Sequence, residues 1–329
     1  MINIRINIRT FSTQVTVAIA ATAAIALLAT TGAGAAAPMV KTPAPGYYRT
    51  MLGDFEITVL SDGTVSLPVR DLLTNISPKA VDNALAKSYL KSPLETSVNG
   101  YLINTGEKLI LVDTGAAGLF GPTLGNLVSN LKASGYQPEQ VDEIYITHMH
   151  ADHVGGLMAG DKLAFPNAIV RADQHDADFW LSQSNLDKAP ADSKGFFQGA
   201  MASINPYVKA DKFKPFDGNA DLATGIKAIA SHGHTPGHAI YAVESKGQKL
   251  VLWGDLMHVA AVQFDNPGVT IKFDTDSKAA ALQRKKAYAE AAKQGYLVGS
   301  AHISFPGIGR LRAEGKGYVW IPVNYIPVR

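Results

Sequence analysis

Three histidines and an aspartate fall within six residues of the stretch Thr147-His148-Met149-His150-Ala151-Asp152-His153. It follows the apolar run Ile144-Tyr145-Ile146 and precedes Gly155-Gly156. His148 and His150 are two apart, so on an extended segment leaving a strand their side chains point the same way. Asp152 and His153 come just past the turn, where the chain brings them to a neighbouring point. Imidazole nitrogens and carboxylate oxygens are the donors that hold zinc and similar divalent ions. The plainer alternative is a polar surface loop, but such loops seldom carry three imidazoles at this spacing.

The elements that must position these donors can be read from apolar periodicity. Residues 55–60 and 64–69 flank Asp62-Gly63 and predict a hairpin. Ser77-Pro78 starts a helix with Val81, Leu85 and Tyr89 on one face. Residues 101–103 and 109–112 are strands around Gly106, the second running into Asp113-Thr114-Gly115. Pro122 opens a helix carrying Leu124, Leu127, Val128 and Leu131, which ends near Gly135. Residues 144–146 form the strand that delivers the histidine stretch, and 168–171 and 176–181 add a strand and a helix. Further on, 226–230 is a strand ending in His232-Gly233-His234-Thr235-Pro236-Gly237-His238, 250–253 ends in Gly254-Asp255, and 296–299 ends before His302. The Ala-rich run 277–294, closed by Gly295, is the clearest helix, and 318–323 is strand-like. Strands alternating with helices indicate mixed α/β layers, and every donor stretch follows the C-terminal end of a strand, where open α/β sheets gather their sites.

Composition bounds the partners. With 329 residues, 47% hydrophobic and 18% charged, the chain can bury a large core. Its net charge is +2, with Arg5 and Arg9 in the first ten residues, which argues against a nucleic-acid partner needing a basic surface. Those arginines, the apolar run 15–29 and Ala33-Gly34-Ala35 have the pattern of a secretory signal over residues 1–35. At about fifteen residues the run is short for a membrane span of roughly twenty. The expectation is therefore an exported protein, periplasmic or secreted, with no membrane anchor after cleavage. Residues 36–49 read as an extended lead-in and 50–329 as one domain. With no cysteine, the chain has no thiolate ligands, disulfides or lipoprotein anchor, leaving His, Asp and Glu for any metal.

The stretch 148–153 resembles the His-x-His-x-Asp-His motif of the metallo-β-lactamase fold, and the resemblance extends to Asp113, His234, Asp255 and His302. It implies an α/β fold, an αββα sandwich of two mixed sheets flanked by helices. By resemblance, His148, His150 and His234 hold one metal, Asp152, His153 and His302 the second, and Asp255 bridges both and could shuttle a proton. The expected nucleophile is a hydroxide shared by two divalent ions, zinc first, with manganese, cobalt and iron accepting the same donors. Asp113 would orient a ligand imidazole; the other reading is a turn residue capping its own loop. His232 and His238 fall outside the family's ligand set, and His175 reads as solvated.

Closer likeness is to the methyl parathion hydrolase group, through residues 118–123, 172–180, 195–197 and 304–307. That likeness implies an aromatic mouth of Phe120, Trp180 and Phe196 and the pairing of two copies into a homodimer. The sequence departs from the group's organophosphate-active pattern at Leu72, His258, Ile271 and Phe273, and lacks one residue before Ser193. Bulkier residues there would narrow the room for a phosphotriester and favour a flat substrate. The expected activity is hydrolysis of aromatic lactones or aryl esters, with phosphotriester cleavage as a side activity or as the competing main one. A metal-buffering protein of the periplasm is the alternative from another class.

Overall fold

Period-two alternation in the apolar runs sets the layers. In residues 109–112, Leu109 and Leu111 pack with Leu127 and Leu131, whereas Ile110 and Val112 turn the other way, towards Tyr241, Leu250 and Leu252. Residues 250–253 do the same: Leu250 and Leu252 face inward, while Val251 and Trp253 pack with Ala287, Tyr288 and Ala291. Strands apolar on both faces need an apolar layer on each side, which a sandwich covered by helices provides.

The computed structural model describes residues 37–328. The first sheet has six strands: β1 (Tyr47–Leu52), β2 (Phe55–Leu67), β3 (Leu94–Asn104), β4 (Leu109–Val112), β5 (Glu143–Tyr145) and β6 (Ile169–Arg171), side by side in chain order. The second has seven, also in chain order: β7 (Ala220–Ala223), β8 (Ile226–Ala230), β9 (Ala239–Ser245), β10 (Gln248–Leu252), β11 (Leu297–Gly299), β12 (Ile308–Glu314) and β13 (Gly317–Pro322). The pairs β4–β5, β5–β6 and β10–β11 are parallel and the others antiparallel, so both sheets are mixed.

Five helices matter for the site: α1 (Pro78–Lys87), α2 (Leu127–Ala133), α3 (Gln174–Trp180), α4 (Lys194–Lys209) and α5 (Ser277–Gln294). Residues of α2, α3 and α4 pack in the cluster on the outer face of the first sheet, and those of α5 on the outer face of the second. This is the αββα sandwich expected. Helix α5 is bounded as its sequence indicates: the Asp276 carboxylate accepts from Lys278 N and Ala279 N, and Gly295 closes the helix at φ 67°.

Residues 45–329 form one compact unit, and the described residues ahead of it, 37–44, are exposed and carry neither helix nor strand. The first strand begins at Tyr47, inside the segment expected as lead-in. The signal segment, residues 1–35, lies outside the described residues. Among those described, no helix is long and apolar enough to cross a membrane.

Three local expectations are corrected. Asp62-Gly63 is not a hairpin turn: β2 runs straight through it, with a register shift against β3 between Ser61 and Gly63. The Asp62 carboxylate accepts instead from Ala116 N (2.9 Å) and Leu127 N (3.0 Å), holding a distant loop and the start of α2. Pro122 does not open that helix, because Gly121 and Gly125 adopt left-handed φ values of 92° and 91° and break the chain before Leu127. Tyr89 lies beyond the end of α1 and is 99% exposed, so only Val81 and Leu85 form its buried face.

Candidate metal centre

The chain leaves β5 extended, and His150 still has φ −71° and ψ 155° just before the short helix Ala151–Val154. This carries His148 and His150 to the sheet edge and lets the helical turn add Asp152 and His153. The Asp113-Thr114-Gly115 loop braces the turn, with Thr114 N and Thr114 Oγ1 both donating to the His153 carbonyl (2.8 and 2.9 Å). Gly155 and Gly156 are required by that packing: a Cβ on either would overlap the carbonyl of Ala116 or Thr114. The loops after β8, β10 and β11 bring His234, Asp255 and His302 to the same edge.

Two donor groups result. His148, His150, His234 and Asp255 form one, and Asp152, His153, Asp255 and His302 the other, with the donor atoms of each within 4.8 Å of one another. Asp255 belongs to both. Its Oδ2 lies 3.6 Å from His148 Nε2 and 3.4 Å from His234 Nε2, its Oδ1 lies 3.1 Å from His153 Nε2, and His302 Nε2 is 3.1 Å from both oxygens. Asp152 Oδ2 is 3.7 Å from His153 Nε2 and 3.5 Å from His302 Nε2.

These donors fit divalent cations. Ligand atoms at about 2.0–2.1 Å from a tetrahedral ion stand about 3.3 Å apart, close to the spacings found here. His148 Nε2, His153 Nε2 and Asp255 Oδ1 are buried without a hydrogen-bond partner, an arrangement that is costly unless something occupies the space between them. The other ring nitrogens are tied down. His153 Nδ1 donates to Asp113 Oδ2 (2.8 Å), His234 Nδ1 to Asp274 Oδ1 (2.9 Å) and His302 Nδ1 to the Ser97 carbonyl (2.9 Å). Each bond fixes a proton on Nδ1, so Nε2 is the nitrogen that an ion would take once its own proton leaves. Against burial, the facing carboxylates hold His153 well above the ordinary histidine value, His302 above it and His234 at about 9. Burial, reinforced by neighbouring imidazoles, holds His148 and His150 well below the usual histidine pKa, in the neutral form a metal needs.

Asp113 occupies the orienting position and not a self-capping one. At φ 59°, it accepts from Thr147 N and Thr147 Oγ1 (both 2.8 Å) as well as from His153. His238 faces away from both donor groups: its Nδ1 donates to the Ser231 carbonyl (3.2 Å) and its Nε2 accepts from Asp255 N (3.1 Å). Burial drives its pKa down to about 3, consistent with that neutral tautomer. Asp176 and Asp274 do as much positioning as Asp113, yet in the sequence each looks like an ordinary acidic residue of a helix or loop.

The expected pocket residues divide into several groups. The rings of Trp180 and Phe196 lie 5.3 and 4.9 Å from that of His150, and Phe273 is 6.3 Å from Phe196. All four line a cavity of about 410 Å³, with Lys272 and Asp274 at its wall. Phe120 lines a different cavity of about 510 Å³, which shares Phe196 with the first. His258 is buried with Nε2 3.1 Å from Asp255 Oδ2 and its ring stacked on His302 at 5.2 Å. Leu72 and Ile271 require correction. They pack in an apolar cluster with Val69, Leu73, Val81 and Leu85, Ile271 fully buried, and neither lines the cavity beside His150. The short helix Val69–Leu72 and the pairing of Ile271 with Leu73 turn both side chains into that cluster.

A two-sheet sandwich carrying paired His/Asp donor groups at one edge defines a dinuclear metal hydrolase. The model of the Metallo-beta-lactamase superfamily matches residues 94–299, and the chain belongs to that superfamily. Among solved structures it is similar to the hydrolase AbOPH of the beta lactamase superfamily, with 41% identity and a TM-score of 0.83 over 87% of this chain and 100% of that one. It is also similar to AidC, a dizinc quorum-quenching lactonase in complex with an N-hexanoyl-L-homoserine product, at 26% identity and a TM-score of 0.79 over 86% and 99% of the two chains. An N-acyl homoserine lactonase of Bacillus sp is 26% identical over 212 residues, 59% of this chain and 76% of that protein.

Proposed function

We propose that the protein opens aromatic lactones and cleaves aryl esters, holding two zinc ions between His148, His150, His234, Asp152, His153 and His302 with Asp255 shared. The observation that carries this reading is Asp255, shared by two donor groups, one of which reaches an aromatic cavity through His150. When bound, the ion pair supplies hydroxide near neutral pH and polarises the scissile carbonyl. The side chains do the rest. Asp113, Asp274 and the Ser97 carbonyl keep the imidazoles in the ligating tautomer. Trp180, Phe196 and Phe273 offer flat apolar faces for an aryl ring next to His150. A phenolate leaving group needs little proton donation. The lactonases among the relatives support a cyclic ester as substrate. The likeness of residues 118–123 and 195–197 to methyl parathion hydrolases supports phosphotriester cleavage as a weaker activity.

Catalytic efficiency on dihydrocoumarin, p-nitrophenyl acetate, N-hexanoyl homoserine lactone and methyl parathion tests the assignment. The expected order puts dihydrocoumarin first and methyl parathion last, and faster phosphotriester turnover would reverse it. Asp255→Ala and His302→Ala should lose metal and hydrolysis together. A metal-buffering protein would show no zinc-restored ester cleavage at all. Export is part of the same proposal, supported by the first 35 residues and tested by finding the shortened chain outside the cytoplasm.

A further inference from the structure

A third group of metal-type donors lies outside the centre described above. Asp173, His175 and His232 place one ligand atom each within 4.8 Å of one another. The Asp173 side chain is fully buried, and its only ion-pair partners among the described residues are these two imidazoles. Asp173 Oδ1 is 2.8 Å from His175 Nδ1, and Oδ2 is 3.4 Å from His232 Nε2. The carboxylate is also fixed from behind, accepting from His175 N (2.8 Å) and Gly218 N (3.0 Å). The two rings lie 4.9 Å apart, and Asp217 Oδ1, on an exposed side chain, is 3.8 Å from His175 Nδ1.

We propose that Asp173, His175 and His232, completed by Asp217, form a third divalent-cation site with two nitrogen and two oxygen donors. This set suits zinc or cobalt(II). Three features separate it from a chance surface pairing. The carboxylate is buried and held in place before any ion arrives. The two imidazoles reach it from segments far apart in sequence, the start of α3 and the loop after β8. The most exposed donor, Asp217, is on the solvent side, where an ion would enter.

The location gives the site a role. His232 is two residues from His234, and Trp180, at the far end of α3, lines the cavity beside His150. An ion held here joins the helix that forms the pocket wall to the loop that supplies a donor of the buried centre. It acts as a brace occupied when zinc is plentiful.

The test uses untagged protein, stripped with chelator and dialysed against fixed free zinc, with metal per chain measured by mass spectrometry and cobalt(II) titrations followed by absorbance. Wild type should bind one equivalent more than His175→Ala, whatever the count at the buried pair, so a failure of the dinuclear reading is distinguishable from a failure here. Asp217→Ala should weaken the extra site by at least about tenfold, the low end of what losing a supporting group costs a metal site. The melting temperature of wild type should go on rising with zinc after that of His175→Ala has levelled off. Equal stoichiometry in wild type and His175→Ala, or a third equivalent that survives in both His175→Ala and His232→Ala, would overturn the proposal.

Discussion

Asp176 accepts from Met149 N (2.9 Å) and from Gly237 N (2.6 Å), tying the loop that carries His148 and His150 to the loop that carries His234. It touches neither donor group, yet both backbones depend on it. Burial raises its pKa from 3.8 to about 6, against the opposing hydrogen bonds from Thr235, Gly237 and Met149. A raised carboxylate pKa means that the folded state binds the proton more tightly than the unfolded one. The stability this adds is fully present below 3.8 and is lost as pH rises through about 6. A difference of roughly two pH units corresponds to about 3 kcal/mol. In Asp176→Asn this titration is gone, and an amide N–H₂ must face a backbone N–H, which costs about 1–3 kcal/mol. The advantage of wild type over Asp176→Asn should therefore be greatest near pH 4 and shrink towards pH 7. Urea unfolding of the two metal-free proteins at several pH values checks this, and a gap that widens with pH would contradict it.

At the scale of elements, α5 does more than cover the second sheet. Arg284, fully buried on it, donates from Nε to the Leu256 carbonyl (2.6 Å) and from Nη1 to those of Val269 (2.6 Å) and Pro267 (3.2 Å). One guanidinium thus holds both ends of the segment that carries His258 and follows Asp255. Arg284→Met removes the charge but strands the carbonyls of Leu256 and Pro267, while that of Val269 keeps the Gln263 amide (3.0 Å), and each stranded carbonyl costs about 1–3 kcal/mol. Arg284→Lys should recover only part, since an ammonium cannot span the same acceptors. Denaturant midpoints should rank wild type above Lys above Met, and a Met variant as stable as wild type would remove the helix from this role. The donors past the strand ends could be read from sequence because ligation demands specific atoms at specific spacing. Arg284, Asp176 and Asp274 could not, because their partners are set by tertiary packing. Asp62-Gly63 misled for the same reason: a local turn signal yields when a carboxylate finds the amides of Ala116 and Leu127. Leu72 and Ile271 followed a family position into the pocket, whereas side-chain direction sends them into an apolar cluster.

For the whole molecule, the centre is a fold-scale liability until it is filled. Asp152 and Asp255 face imidazoles from three loops, and Asp113 and Asp274 stand directly behind. Each of these loops leaves a different strand, so any misfit at the centre is felt in both sheets. Ions that bind the folded chain and not the unfolded one stabilise it by mass action, about 2.7 kcal/mol per site when free metal is a hundredfold above its dissociation constant. Chelation should therefore lower the melting temperature substantially, and the midpoint should climb with the logarithm of free zinc. The gain must also depend on pH in a fixed direction. Imidazoles bind metal only when neutral, and in the metal-free centre, against burial, Asp255 and Asp274 raise the His234 pKa to about 9, so protons compete as pH falls through that value. The melting curves of loaded and stripped protein should separate most widely above about pH 9 and converge towards pH 5. Calorimetry at a series of pH values with buffered zinc measures that separation. If the two forms melted together at every pH, the buried imidazoles and carboxylates would be holding one another and not a pair of ions.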